Sequence, residues 1–342
     1  MTNSKTQTNE PQHFGTTAEG QAVHRVVLSG EGLTANIITW GAVVQDLRLE
    51  GHAAPLVLGF DQFEDYPAQS PYFGAIAGRV ANRIAYGRYT VDGKQFELDR
   101  NMDGVHTLHG GSQGIGKRVW TIADLGSSHV TLTLHDPDGM MGFGGSCDMT
   151  CDYVLKDDGI LHVALTSSVS QTGPVNLTHH SYFALDDESD CRHTHLRIAA
   201  DRITAVNEAM IPTGETPDVA DTAFDFTKTR TMADPMPACG FFDHNYCLRD
   251  GRGNLQEAAV ATSPKSKLEM RVFTTEPGLQ FYAGHKISTP AGLTGQAYGA
   301  HAGFCLEAQN WPDAVNQKHF PDALVKPDEP LRQVTEYRFR KL

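Results

Sequence analysis

The chain has 342 residues, 40% of them apolar and 20% charged, the balance of an ordinary folded protein. Its formal net charge of −13 argues against a surface built for nucleic acid or an anionic membrane. Six cysteines are too sparse at this length for a disulfide framework, and no apolar run approaches the ~18–20 residues that cross a bilayer.

The opening MTNSKTQTNEPQHFGTTAEGQ lacks the apolar core of a secretory signal, so a reduced cytoplasmic setting is expected. Residues 1–12 are polar and are expected to be disordered. TANIITWGAVVQDLRL, Thr34 to Leu49, reads as two strands around Gly41. YTVDGKQFELD, Tyr89 to Asp99, reads as a hairpin with Asp92-Gly93 in a type I′ turn. VTLTLHD, Val130 to Asp136, alternates cleanly, and ILHVALTSSV, Ile160 to Val169, follows a KDDG turn. Only NWPDAVNQKHFP, Asn310 to Pro321, suggests a short helix. Strands without alternating βαβ units predict an all-β antiparallel sandwich, and the uniform texture predicts one domain over residues 13–342.

Several segments carry more polar and aromatic residues than a plain strand needs. GAIAGRVANRIAYGRY sets Arg79, Asn82 and Arg83 among small residues, either solvated or reaching a concave surface. TLHGG places His109 before two glycines that permit close backbone approach to a ligand, or a tight turn. PVNLTHHSYFAL sets His179 beside His180, which an extended segment points to opposite faces. CGFFDHNYCL embeds Asp243, His244 and Asn245 between aromatic flanks, a turn or the wall of a sugar site.

GFCLEAQNWPDAVN is the sharpest of these segments. Glu307 follows an apolar run, where a carboxylate is costly unless paired or functional. It is a structural partner, for instance of Arg83, or a general base. His193 with His195, and Cys147 with Cys151, do not match recognised zinc spacings, so no functional metal is expected. P-loop and dinucleotide-binding glycine motifs are absent.

Taken in order, GRVANRIAYGRY, TLHGG, DPDGMMGFGGSCDMTCDYVL, PVNLTHHSYFAL, FFDHNYCL, PGLQFYAG and GFCLEAQNWPDAVN resemble the aldose 1-epimerases, or galactose mutarotases. The resemblance runs from about residue 20 to the C-terminus. It implies a large antiparallel β-sandwich, the galactose mutarotase-like supersandwich, with an open cleft across one sheet. It implies exchange of α and β anomers of free aldohexoses such as galactose and glucose, without a cofactor. It places the general base on Glu307 and the general acid on His180. Sugar-holding positions fall on Arg83, His109 and Asp243, with Asn82 and Gln280 beside them.

The implied partner is a small aldose, with no nucleic acid and no membrane. The chain departs from the family pattern at His179, where Asn is usual, and at Gly144, where Pro is common. ALDD, Ala184 to Asp187, also lacks an Asn often found after the aromatic. Two rivals follow: a hexose 6-phosphate epimerase of the same fold, which needs a cationic grip on phosphate, and a non-catalytic carbohydrate-binding module, which needs no acid–base pair.

Overall fold

The computed structural model describes residues 10–30, 32–70, 72–248 and 253–342. The start expected to be disordered lies outside the described residues as far as residue 9, and Gln12 already opens the first strand. Four antiparallel strands, Gln12–Thr16, Ala22–Gly30, Leu33–Ile38 and Val43–Leu49, form a sheet in chain order. The turn before Val43–Leu49 needs a glycine. Gly41 has φ +62°, and a Cβ there would meet the Gly116 carbonyl oxygen at 2.4 Å.

The largest sheet has nine strands. In spatial order they are Thr121–Leu125, His129–Asp136, Cys147–Lys156, Ile160–Val169, Leu331–Lys341, Leu268–Thr274, Gln256–Ser263, His195–Ile198 and Arg230–Thr231. The late strand Leu331–Lys341 lies at its centre, paired antiparallel with Ile160–Val169 on one side and Leu268–Thr274 on the other. Alternation explains its two faces. Val130, Leu132 and Leu134 are buried, as are Cys147, Met149, Cys151, Tyr153 and Leu155, while the residues between them are more exposed.

Those side chains pack in one apolar cluster with Tyr246, Leu279, Phe281, Leu306 and Ala308. The latter come from a four-stranded sheet in the order Arg202–Ile203, Asp243–Cys247, Gly278–Tyr282, Cys305–Gln309. The two sheets thus make the expected all-β antiparallel sandwich.

The hairpin forms as expected. Arg88–Val91 pairs with Lys94–Glu97, and Asp92 and Gly93 both take positive φ, 50° and 78°. The helix expected in Asn310 to Pro321 does not form. That stretch holds one 3-10 turn, Ala314–Asn316, because Asp313 sits in the left-handed region at φ 57°. The Asp313 carboxylate is committed elsewhere, accepting from the Ala85 and Asn316 nitrogens. Among the described residues the α-helix present is the five-residue Asp65–Gln69.

Candidate active site

The smaller sheet turns its other face to an open cleft of about 200 Å³. Its register lines up two cross-strand rows: Asn245, Gln280 and Glu307 in one, Asp243, Tyr282 and Cys305 in the other. Residues directly opposite, or two apart, share a face. The same period that sends Leu279, Phe281 and Leu306 into the core therefore sends Gln280, Glu307 and Asp243 to the cleft.

Two short strands bring the next residues over this floor. Arg83–Ile84 pairs with Thr107–Leu108. Arg83 Nη2 donates to Asp243 Oδ2 at 3.2 Å, and Gln280 Nε2 donates to the other carboxylate oxygen at 2.7 Å. Asn82, at φ 61°, accepts on Oδ1 from the Arg83 backbone N–H and from Arg83 Nη1. Its own backbone N–H donates to His109 Nδ1 at 3.2 Å. A neutral ring that accepts at Nδ1 carries its proton on Nε2, so His109 is a hydrogen-bond donor there. The suggested Arg83 partner for Glu307 is not its contact; Arg83 is engaged by Asp243, and Glu307 meets a histidine.

That histidine is His180. Its Nε2 stands 3.5 Å from Glu307 Oε2, and the residues are 5% and 2% exposed. The paired histidines point apart, as an extended segment requires. His179, in the two-residue strand Thr178–His179, packs edge-on between Tyr153 and Tyr337 in the sandwich core and shares a hydrogen bond between Nε2 and Ser181 Oγ. His180 stacks on Tyr182 at 5.2 Å and lies near Tyr72 and His109.

Burial dominates the electrostatics. It pushes Glu307 well above the usual carboxylate range, with Asp243 adding to the rise and Arg83 opposing it. It pulls His180 down to about 4, against its own backbone carbonyl and the Asp243 charge. His109 is driven well below its ordinary value by burial, then by His180, Arg83 and Lys117. Burial would raise the Asp243 carboxyl too, but the Arg83 guanidinium and the Gln280 amide hold it below its ordinary value. Three buried polar atoms here, Glu307 Oε2, Gln280 Oε1 and Arg83 Nε, have no hydrogen-bond partner among the described residues. Such atoms are completed by a polar ligand or by water.

His109, His180 and Glu307 offer ligand atoms within 4.8 Å of one another, the geometry that could hold a metal. The Asn82 N–H on His109 Nδ1 keeps the Nε2 proton in place, which makes that ring a donor rather than a metal ligand. The histidines at 193 and 195 do not form a pair of ligands. His193 Nε2 contacts Asp186 at 2.8 Å, and His195 lies on the strand paired with Gln256–Ser263. Cys147 and Cys151 are buried in the core, and all six cysteines are free thiols. Arg79 also turns away from the cleft, donating to the Gly145 carbonyl at 2.7 Å. GGSQG, Gly110 to Gly114, has the spacing of a serine-hydrolase elbow. Ser112 instead lies in an exposed turn, with its hydroxyl against Met141 Sδ.

All seven anticipated residues converge. Six line the cleft, and Gln280 reaches it through Asp243. The sequence reading missed Tyr72, Leu108, Tyr182, Tyr282 and Lys286. Tyr182 and Tyr282 lie inside quoted motifs and alternate with site residues, which was a usable signal; Tyr72 has none.

Hydrogen-bonding groups stand among aromatic walls on the open face of an antiparallel sandwich, an arrangement suited to a polar small molecule. The family profile for aldose 1-epimerase matches residues 24–338. The chain is 41% identical to the galactose mutarotase of Rattus norvegicus, over 94% of this chain and 95% of that one. It is 34% identical to the aldose 1-epimerase of Escherichia coli K12, over 94% and 96%. A crystal structure of a GalM/aldose epimerase homologue from C. elegans superposes with a TM-score of 0.88 at 26% identity, covering 94% of this chain and all of that one. The chain belongs to the aldose 1-epimerase family. Among the described residues no helix is long and apolar enough to cross a membrane.

Proposed function

We propose that the protein interconverts the α and β anomers of free aldohexoses by acid–base ring opening and reclosure, with Glu307 and His180 as the catalytic residues. The observation that carries this reading is the Glu307–His180 carboxylate–imidazole pair, 3.5 Å apart, at the floor of a polar cleft. Burial drives each partner towards its neutral form, so together they hold one proton. Moving that proton from Glu307 to His180 leaves the total charge unchanged. A sugar hydroxyl donating to the carboxylate favours the ionised arrangement.

In that arrangement Glu307 takes the C1 hydroxyl proton while the imidazolium gives its Nε2 proton to the ring oxygen. The C1–O5 bond breaks and the aldehyde forms. Rotation about C1–C2 presents the other carbonyl face, and reclosure reverses both transfers. The pair is restored without a cofactor. Each positioned transfer is worth on the order of 10²–10⁴-fold. Arg83, His109 and Asp243, with Asn82 and Gln280 behind them, hold the remaining hydroxyls and keep C1 and O5 aligned.

A free sugar fits better than a phosphate ester. The cations lining the cleft are Arg83, already engaged by Asp243, and Lys286, which is less than the cluster a phosphate grip calls for. Polarimetry on freshly dissolved α-galactose and α-glucose, with and without the protein, tests the reading. Rates no faster than buffer alone, alongside saturation-transfer NMR evidence of sugar binding, would favour the binding-module alternative.

A further inference from the structure

The mechanism above uses Nε2 of His180 and gives no task to Nδ1, although the ring also hydrogen-bonds its own backbone carbonyl. That nitrogen meets the Cys305 sulfur at 3.6 Å. Cys305 is fully buried, two residues before Glu307 on the same strand and the same face. The Tyr182 hydroxyl hydrogen-bonds the same sulfur, and the Tyr182 ring stacks on the His180 imidazole at 5.2 Å and 19°. One side chain thus supports the ring plane and steadies the thiol that meets its edge. Resting on the epimerase reading, we infer that Cys305 is a positioning residue: its thiol holds Nδ1 of His180 through both protonation states, aiming Nε2 at the sugar ring oxygen.

A thiol can do this because it both donates and accepts hydrogen bonds. When His180 is an imidazolium, Nδ1–H donates to sulfur. After Nε2 gives its proton to O5, the ring is neutral and keeps Nδ1–H, so the same contact survives the step. When the neutral ring carries its proton on Nε2, S–H turns and donates to Nδ1. The thiol does not ionise, because burial pushes it well above its ordinary range. A carboxylate in this place would hold Nδ1–H permanently and make the ring more basic. A weak acceptor leaves the imidazolium a stronger acid, which suits a group whose task is to protonate a poorly basic ether oxygen.

The test compares Cys305→Ala with Cys305→Ser in the full chain. Cys305→Ala is expected to lower kcat about tenfold with KM within about twofold, the scale of losing an orienting partner. Cys305→Ser, which keeps a group that donates and accepts, is expected to return kcat to within about threefold of the parent. Ring ¹⁵N spectra supply a readout that needs no turnover: the His180 signals move in Cys305→Ala and those of His109 do not. An unchanged kcat in Cys305→Ala, a Cys305→Ser variant no better than Cys305→Ala, or unmoved His180 signals would each overturn the inference. Failure of the epimerase reading looks different, as absent anomer exchange in the unaltered protein.

Discussion

Arg83 and Asp243, 160 residues apart in the chain, meet at 3.2 Å with both side chains largely buried. Gln280 fills the second carboxylate oxygen. The ion pair presets a charged, oriented edge for hydroxyl groups, away from the atoms that exchange protons. Asp243→Ala is therefore expected to act on binding. KM should rise about 10–100-fold, the scale of one or two charge-assisted hydrogen bonds, while kcat falls by less. A variant whose kcat collapses at unchanged KM would place Asp243 in the chemistry instead.

Glu307→Gln and His180→Asn each remove one proton carrier and keep much of the side-chain shape. Each is expected to cut kcat by about 10²–10⁴-fold without unfolding the chain. The double variant should lose little more than either single one, because the two act as a unit. Near-normal polarimetric turnover in Glu307→Gln would remove the proposed base.

His179 contributes on the other side of the sheet. Burial holds its ring uncharged, down to about 3, between two core tyrosines. His179→Asn restores the amide usual in the family but leaves space in a core packed around a ring. A loss of about 1–2 kcal/mol of stability is expected from urea unfolding, with kcat within about threefold of the parent. A large fall in kcat with unchanged stability would mean that His179 does serve the site.

Glu336 gives the fold an acid-sensitive joint. Burial opposes its charge, but Lys156, Arg338 and His162 outweigh it and hold its carboxyl down at about 2, against an ordinary 4.5. A carboxylate whose folded value lies below its unfolded one stabilises above the unfolded value and loses that contribution as pH falls through the folded one. Glu336→Gln should cost about 1–3 kcal/mol at pH 7, and the gap to the parent should narrow between pH 4.5 and pH 2. A gap that stays constant across that window would show that the carboxylate's charge is not what the variant removes.

Much of this was legible before any coordinates. Period-two alternation in Val130 to Asp136 and Ile160 to Val169 announces half-buried strands, and the Asp92-Gly93 turn fixes a hairpin register. The adjacent histidines divide as a pleated strand must divide them. The helix expected after Asn310 failed because local spacing carries no sign that Asp313 would be drawn to the Ala85 amide, far away in sequence. Glu307 was visible as a costly carboxylate in an apolar run, but its partner was not. Choosing His180 over Arg83 depends on how the short strands Arg83–Ile84 and Thr178–His179 lie over the sheet that carries Asp243 and Glu307, segments brought together from distant parts of the chain. Tyr72 escaped for a related reason: it reaches the cleft from an irregular segment that has no period to read.

The central position of Leu331–Lys341 in the nine-stranded sheet bears on how the protein is made. Synthesis delivers the flanking strands Ile160–Val169 and Leu268–Thr274 well before the one that joins them. Until Leu331–Lys341 has left the ribosome, each presents an open hydrogen-bonding edge, available to wrong partners. A nascent chain stalled before Leu331 is therefore a chain with two exposed edges at the middle of its largest sheet.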